Sequence, residues 1–326
     1  MAFMPGFDEQ WRDAPDFIHG MTRAIWEDHH FDHLNRYFEP ETILRQASGV
    51  SRGQANVARH VRAVAVEQPD LVARGEDVIW VPVGFKGFLA SQRLYCTATH
   101  AGGAYAPATH KQLTYRVLRD QWCRGNAVVE TWEVTDQGAI LRQLGLNPED
   151  WTRDLIRREG GPAQCVKPLT PANDPISPYE DSGNDNQWGH MLAGLLTRIM
   201  RGELGVIPGQ YDPAAELAYP GHVTGSGHSA ASKFWMPLCA AFPNAQFSVA
   251  HVIGLEDPLN PPRASVRWSL IGKHDGWGSF GAPSGAMVHV MGITHAEFGP
   301  NGLRREWTLI DETAVWKQII LARGAV

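Results

Sequence analysis

HAGGAYAPATHKQLTYRVLRDQWCRGNAVVETWEVTD, residues 100–136, returns in altered form as HDGWGSFGAPSGAMVHVMGITHAEFGPNGLRREWTLID, residues 274–311. Both copies run from a His-x-Gly turn, through an Ala-Pro-Ala or Ala-Pro-Ser corner and two strand-like runs, to a Trp followed four residues later by Asp. Working outward, the pairs Pro40/Pro213, Gly53/Gly227, Pro69/Pro243, His100/His274, Pro107/Pro283, Trp132/Trp307 and Asp136/Asp311 keep an offset of 173 to 176 residues. One shared proline means little, but a whole ordered series at nearly constant offset marks an internal duplication. Two copies make two domains rather than a solenoid. The length of 326 residues agrees, at about 150 residues per domain. The expected division is a first domain over 1–148, a Pro-rich linker over 149–184 and a second domain over 185–326.

Each copy carries two helical patterns before its strands. Phe17, Met21 and Ile25, with Ile18, Thr22 and Trp26 beside them, follow an i, i+4 spacing that predicts a long opening helix over residues 9–35. Val57, Val61 and Val64 or Ala65 predict a second helix that runs up to Pro69. DVIWVPVGF, SQRLYCTATH, KQLTYRVLRDQW and NAVVETWEVT then read as strands separated by Gly, Pro and Asn. In the second copy HMLAGLLTRIM and SAASKFWMPLCAAF are the helices, and AQFSVAHVIG, ASVRWSLIG, AMVHVMGITHAEF and GLRREWTLI are the strands. Between the copies, residues 147–188 are too rich in proline for a helix interior or a central strand, apart from a short helix in DWTRDLIRR. Two helices followed by a strongly curved antiparallel sheet make an α+β cone with a pocket between helix face and concave sheet.

Composition narrows the function. Hydrophobic residues at 43% and charged residues at 20% are ordinary for a globular chain, and no apolar run approaches a membrane span. No membrane partner is expected. MAFMPGFDEQWRD lacks the basic and apolar regions of a secretory signal, so a cytoplasmic location is the expectation. Cys96, Cys123, Cys165 and Cys239 form no C-x-x-C pair and read as free thiols. A net charge of -6 without a Lys/Arg cluster argues against nucleic acid and for a small molecule. EDHHFDHL places His29 and His33 on one face of the expected helix, with Asp28 and Asp32 near, but a His pair without a third ligand reads more simply as a solvated helix end than as a metal site.

In its motifs the second part of each copy resembles the SnoaL-like polyketide cyclases, of the nuclear-transport-factor-two-like superfamily that also holds ketosteroid isomerase. The markers are Thr99-His100 and Lys273-His274 before x-Gly, the corners Ala106-Pro107-Ala108-Thr109 and Ala282-Pro283-Ser284-Gly285, a Gly-containing hairpin, the W-x-x-x-D ending, and the tail ILRQLG of the first copy. The resemblance implies tandem cone-shaped domains of the cystatin-like α+β barrel type, an apolar cavity closed from solvent, no cofactor, and acid-base chemistry on a hydrophobic carbonyl or hydroxylated small molecule. Cyclisation, isomerisation, dehydration and aldol-type cleavage all fit. It implies further that the two cones pack through their sheets as an intramolecular pseudo-dimer, and the 12 Trp leave room for a further homodimer.

The resemblance also assigns residues. It places the catalytic carboxylate directly after the Trp of the last strand, which is Glu133 in the first copy and Thr308 in the second, so the first copy keeps an acid that the second lacks. By period two, Val129, Thr131, Glu133 and Thr135 share a polar face, which is either solvent-facing or the lining of a polar cavity. A carboxylate in an apolar cavity would have its pKa raised by desolvation, as a base near neutral pH requires. Candidate donors or proton relays are His100, His110 and Tyr115 in the first copy, and His274, His289 and His295 in the other; His289 and His295 share one strand face, where they fit either an acid-base pair facing a cavity or hydrogen-bonded packing residues. His100 and His274, at one repeat position, equally fit a role in holding the corner. Asp136 and Asp311 read as strand-end caps or catalytic groups, and Trp132 and Trp307 as substrate-binding side chains. Two rivals stand beside the enzyme reading: a non-catalytic ligand-binding or scaffold protein, and a hydrolase of the same fold that activates water with a carboxylate.

Overall fold

The computed structural model describes residues 4–324. Its opening helix α1 (Ala14–Thr22) starts where Asp13 accepts a hydrogen bond from the Asp16 amide, and it buries Phe17, Ile18 and Met21. The helix expected to reach residue 35 does not. A single wide π turn, Arg23–Glu27, keeps Ile25 and Trp26 in the core, and the chain then leaves the helix through His29 at φ 57°. His33 begins a separate short helix, α2 (His33–Tyr37), so no helix face joins it to His29. Among the described residues no group of three or more His, Cys, Asp or Glu is placed to hold a metal ion.

Strands β1 (Phe38–Gln46) and β2 (Gly49–Arg52) precede α3 (Gln54–Glu67), and β3 (Val72–Val83), β4 (Gly87–Thr99), β5 (Gln112–Arg124) and β6 (Ala127–Thr135) follow it. The six strands lie in the order β2-β1-β6-β5-β4-β3. The sheet is mixed, because β1 pairs with β6 in parallel. FEPETILRQ did not read as a strand because Pro40 and its charged neighbours mask the pattern. A register shift between Phe38 and Ile43 accommodates that proline. A bulge also separates Trp122 and Cys123 on β5 where they face β6, which takes Val129 out of the alternation that carries Thr131 and Glu133.

After α4 (Gln137–Leu144) and α5 (Pro148–Arg158) the connector leads to α6 (Gln187–Met200), α7 (Ile207–Gln210), β7 (Tyr211–Tyr219), β8 (Val223–Ser226) and α8 (Gly227–Ala241). Strands β9 (Gln246–Asp257), β10 (Asn260–Lys273), β11 (Met287–Gly299) and β12 (Gly302–Ile310) and helix α9 (Glu312–Arg323) complete the chain. The sheet order β8-β7-β12-β11-β10-β9 repeats the first, including the parallel pair β7 with β12. Among the described residues no helix is long and apolar enough to cross a membrane.

The two sheets pack through their convex faces. Ile79, Leu89, Leu118 and Val134 meet Ile253, Met291, Ile293 and Leu309, and Tyr179 of the connector is buried among them. Asp120 is matched inside this layer, where it accepts from Arg267 at 2.7 Å and from Ser91 at 2.5 Å. Two contacts show the repeat's pseudo-two-fold relation. The Arg267 guanidinium lies 3.8 Å from the Trp132 ring centroid, and Arg93, its counterpart, lies 3.5 Å from that of Trp307.

Asp136 joins the halves. It caps α4 through Ala139 N at 3.0 Å and accepts from the amides of Gly221 at 2.7 Å and His222 at 3.0 Å in the second half. Asp136→Ala strips a cap and strands buried donors, so unfolding in urea at pH 7 is expected to show a loss of about 1–3 kcal/mol. A midpoint equal to the wild type would remove Asp136 from the junction.

Candidate active site

The concave face of the first sheet, α3 and the π turn enclose a cavity of about 420 Å³. Its apolar wall includes Leu71, Leu94 and Val117, and Trp26 closes one side. Glu133 lines it, which resolves the polar face of β6 as a cavity wall rather than a solvent face. At 3% exposure, Glu133 is in no direct competition with bulk water. Its Oε2 accepts from Arg119 Nε at 2.6 Å, and its Oε1 accepts from Gln46 Nε2 at 2.7 Å with His60 Nε2 at 3.7 Å.

Arg119 sits directly across from Glu133 in the β5–β6 ladder. The Trp26 ring packs on the guanidinium, 4.4 Å from centroid to Cζ. Arg119 Nη1 is buried and has no hydrogen-bond partner among the described residues. A guanidinium pinned by a carboxylate and an indole, with a spare N–H, is a preformed donor for a ligand oxygen. The pair also changes the expected electrostatics. Burial alone would push the Glu133 carboxyl up, but the Arg119 charge, with His60 and Gln46, outweighs it and holds the group well below the usual carboxylate range. Glu133 is therefore a permanent anion near neutral pH, and not the desolvated, raised base expected from the sequence.

Tyr115 lines the same cavity, its hydroxyl donating to Gln68 Oε1 at 2.6 Å, and burial raises its pKa. Glu67 is there too, pushed up by burial while it accepts from the Ala104 amide. Asp311 also reaches this cavity, from the second half of the chain, rather than one of its own.

The other predicted residues go elsewhere. His100 Nδ1 meets Thr109 Oγ1 at 2.9 Å and His274 Nδ1 meets Ser284 Oγ at 3.0 Å, so both buried rings brace the two corners in the same way. His110 is an exposed residue of that corner, at φ 54°. Trp132 and Trp307 face the packed sheets and not a cavity, because the face of β6 opposite Glu133 is the interdomain face. His295 lies in the same layer, with Nε2 2.8 Å from Ser91 Oγ, and burial holds it well below its usual pKa. His289 meets the connector at Leu169 O, 2.8 Å away. Of the two readings of this pair the packing one fits, because their strand face is the one buried against the first sheet and the connector.

At the matching positions the interior of the second cone is filled by side chains. Where Arg119 faces Glu133, Thr294 faces Thr308, their hydroxyls 2.9 Å apart. Where Leu94 pairs with Val117, Trp268 pairs with Gly292, and an added Cβ at Gly292 would lie 2.2 Å from the indole. Phe234 replaces His60 seven residues after the aligned Gly53 and Gly227, and Tyr219 replaces Gln46 at the strand end. Trp235 and Trp268 fill the interior, and the buried Glu306 accepts from Tyr211 at 2.6 Å, Tyr219 at 3.1 Å and Thr308 at 2.6 Å. Its carboxyl, raised by burial, is fully engaged.

Sequence reasoning passed over Arg119, Gln46, His60 and Glu67. For Arg119 a signal existed: Tyr115, Val117 and Arg119 alternate on one face of β5, and the second copy replaces Arg119 together with Glu133. Gln46, His60 and Glu67 sit on a strand that escaped detection and on the polar side of α3, where only folding reveals what they face.

The sequence model of the SnoaL-like polyketide cyclases matches residues 17–144. A comparison with curated proteins found no match. Among solved structures, the chain is similar to a proposed polyketide cyclase from Acidithiobacillus ferrooxidans, at 20% identity over 40% of this chain and 92% of that one, TM-score 0.35. IdmH, a proposed polyketide cyclase from Streptomyces antibioticus, aligns at 20% identity over 40% and 98%, TM-score 0.35. A SnoaL-like polyketide cyclase from Agrobacterium tumefaciens aligns at 18% over 40% and 97%, TM-score 0.33. Residues 17–144, which hold the Arg119–Glu133 pair, thus match the model of the SnoaL-like polyketide cyclases, and the second half of the chain repeats the sheet order and corner motifs of that domain.

Proposed function

We propose that this chain is a cofactor-free enzyme that moves a proton on a hydrophobic carbonyl or hydroxylated small molecule inside the first cone. Cyclisation, isomerisation, dehydration and aldol-type cleavage share this step. The observation that carries the reading is the buried Arg119–Glu133 pair with its unpartnered Nη1 in a largely apolar cavity. A carbonyl oxygen placed at Nη1 receives a charge-assisted hydrogen bond that strengthens as the carbon next to it loses its proton and the oxygen becomes an enolate. Glu133 holds the guanidinium in place and balances its charge. Tyr115 and His60 supply further polar contacts to the ligand. The free thiols suit a cytoplasmic setting.

The elementary step is testable without the natural substrate. In D2O, a ketone such as 2-tetralone exchanges the protons next to its carbonyl, and NMR follows the label. The wild type is expected to accelerate this exchange over buffer, and Arg119→Lys, which keeps the charge but loses the fork, to slow it by about 10²–10³-fold. Thr308→Val in the filled cone is expected to leave it unchanged. A wild-type rate equal to buffer across a set of bicyclic ketones would sink the proposal.

A further inference from the structure

This inference rests on the proton-transfer reading above. That reading leaves the proton acceptor open, since Glu133 is committed to Arg119 and Gln46. The cavity wall is not built by the first half alone. Asp311, Thr313, Ala314 and Lys317 of the second half line it, beside Trp151 and Leu155 of α5 and Glu159, which follows that helix. Lys317 Nζ donates to Glu159 Oε2 at 2.6 Å, which clamps α9 to the first half.

Asp311 is only 5% exposed. Every hydrogen bond it accepts falls on Oδ1: Thr313 N at 2.9 Å, Thr313 Oγ1 at 2.7 Å and Ala314 N at 3.4 Å. Among the described residues nothing donates to Oδ2. Asp136, at the same repeat position, differs in this respect. It spends one oxygen on Ala139 N and Gly221 N and the other on His222 N, and it is absent from the cavity wall. The cap is common to both copies, whereas an oxygen without a donor, on a residue that lines the cavity, belongs to Asp311.

We propose that Asp311 is the catalytic proton acceptor of the first cone, so that the second half completes the active site of the first. Oδ2 takes a proton from the carbon next to the ligand carbonyl. The C–H electron pair becomes the new C=C bond, the carbonyl π pair moves onto oxygen, and Arg119 Nη1 binds the resulting enolate. The oxygen pair then re-forms the carbonyl while the C=C pair takes the proton back, at the same carbon or, through a conjugated double bond, at the carbon beyond it, which restores the Asp311 carboxylate with no co-reactant. Oδ1, held by its three donors, fixes the direction of Oδ2.

The electrostatics suit this role. Burial pushes the Asp311 carboxyl up to about 6, against the pull of the Thr313 and Ala314 donors. It is then mostly ionised at neutral pH yet more basic than an exposed aspartate. The charged or titratable groups around it are Glu312, paired with Arg142 of α4 at 2.7 Å, Lys317 with Glu159, Tyr105, and Glu67 and Glu133 across the same cavity.

The test uses the full chain and deuterium incorporation into 2-tetralone across pD 4.5–8.5, with binding followed by tryptophan fluorescence. Wild-type exchange is expected to rise through an apparent pKa near 6 to a plateau. Asp311→Asn, which preserves a capping oxygen, and Asp311→Ser are expected to bind the ketone but to exchange it at least about 100-fold more slowly and without that titration. Asp136→Asn is expected to keep the wild-type profile. Exchange at the wild-type rate by Asp311→Asn, or loss of the titration only in Glu67→Gln, would overturn the assignment while leaving the proton-transfer reading intact. A wild type that binds 2-tetralone without exchanging it would overturn both.

Discussion

Arg119→Met is expected to lower stability at neutral pH by about 3–5 kcal/mol, because it leaves the Glu133 carboxylate buried without its counter-charge. Both side chains are essentially out of solvent, at 4% side-chain exposure each, so water cannot replace the lost partner. The pH dependence should also change sign. In the wild type the Glu133 pKa is depressed, so the pair contributes above the usual carboxylate range and its contribution is lost as pH falls below that range. In Arg119→Met the unopposed burial raises the same pKa, so that variant should gain stability as pH falls and the carboxyl takes up a proton. Urea unfolding at pH 8, pH 5 and pH 3 checks both signs. The double variant Arg119→Met/Glu133→Gln removes the stranded charge and should recover much of the loss at pH 8. A single variant that loses less than about 1 kcal/mol at pH 8 would mean that the pair is not isolated from solvent, and the case for a directed Nη1 donor would weaken with it.

Trp268→Ala is expected to cost a further class of large loss, about 3–5 kcal/mol, through an unfilled cavity in the second cone. The indole is fully buried, packs against Trp235 and Phe247, and donates from Nε1 to Thr294 Oγ1 at 3.0 Å. Gly292 exists at its site because no larger residue clears the ring. Consequently Trp268→Leu combined with Gly292→Val, which restores the residues of the first copy, should be milder than Trp268→Ala. The alanine variant should also take up benzene, whereas the wild-type second cone should not. Thermal unfolding with and without benzene measures both, and a Trp268→Ala protein as stable as the wild type would mean that the second cone does not rely on this packing.

The duplication, the two cones and the loss of a carboxylate in the second copy follow from residues that can be read in order. The repeated corner and the W-x-x-x-D ending carry the fold, and Glu133 against Thr308 marks the asymmetry. The strands β1 and β7 were hidden by Pro40, Pro213 and charged neighbours, since a parallel partner far along the chain stabilises them and local pattern does not. Which face of β6 and β11 looks inward was equally undecided, because period two separates two faces without naming either. The back-to-back packing of the sheets settled that choice. It turned Trp132, Trp307 and His295 into interface residues and Glu133 into a cavity residue.

Identity alone also left the charge state of Glu133 unsettled. A buried carboxylate rises or falls in pKa according to its nearest partner, and Arg119, 14 residues away in sequence, lies 2.6 Å away only once β5 and β6 pair. Asp311 is the furthest case. Sequence placed it at the end of its own cone, as a cap, and that part stands. Its position on the wall of the other cone comes from α9 packing against α5, a contact between the halves that no local pattern encodes. Sequence determined the fold and the residues present in each copy, and tertiary structure decided which of them share a cavity, because burial and charge pairing depend on neighbours that meet only after folding.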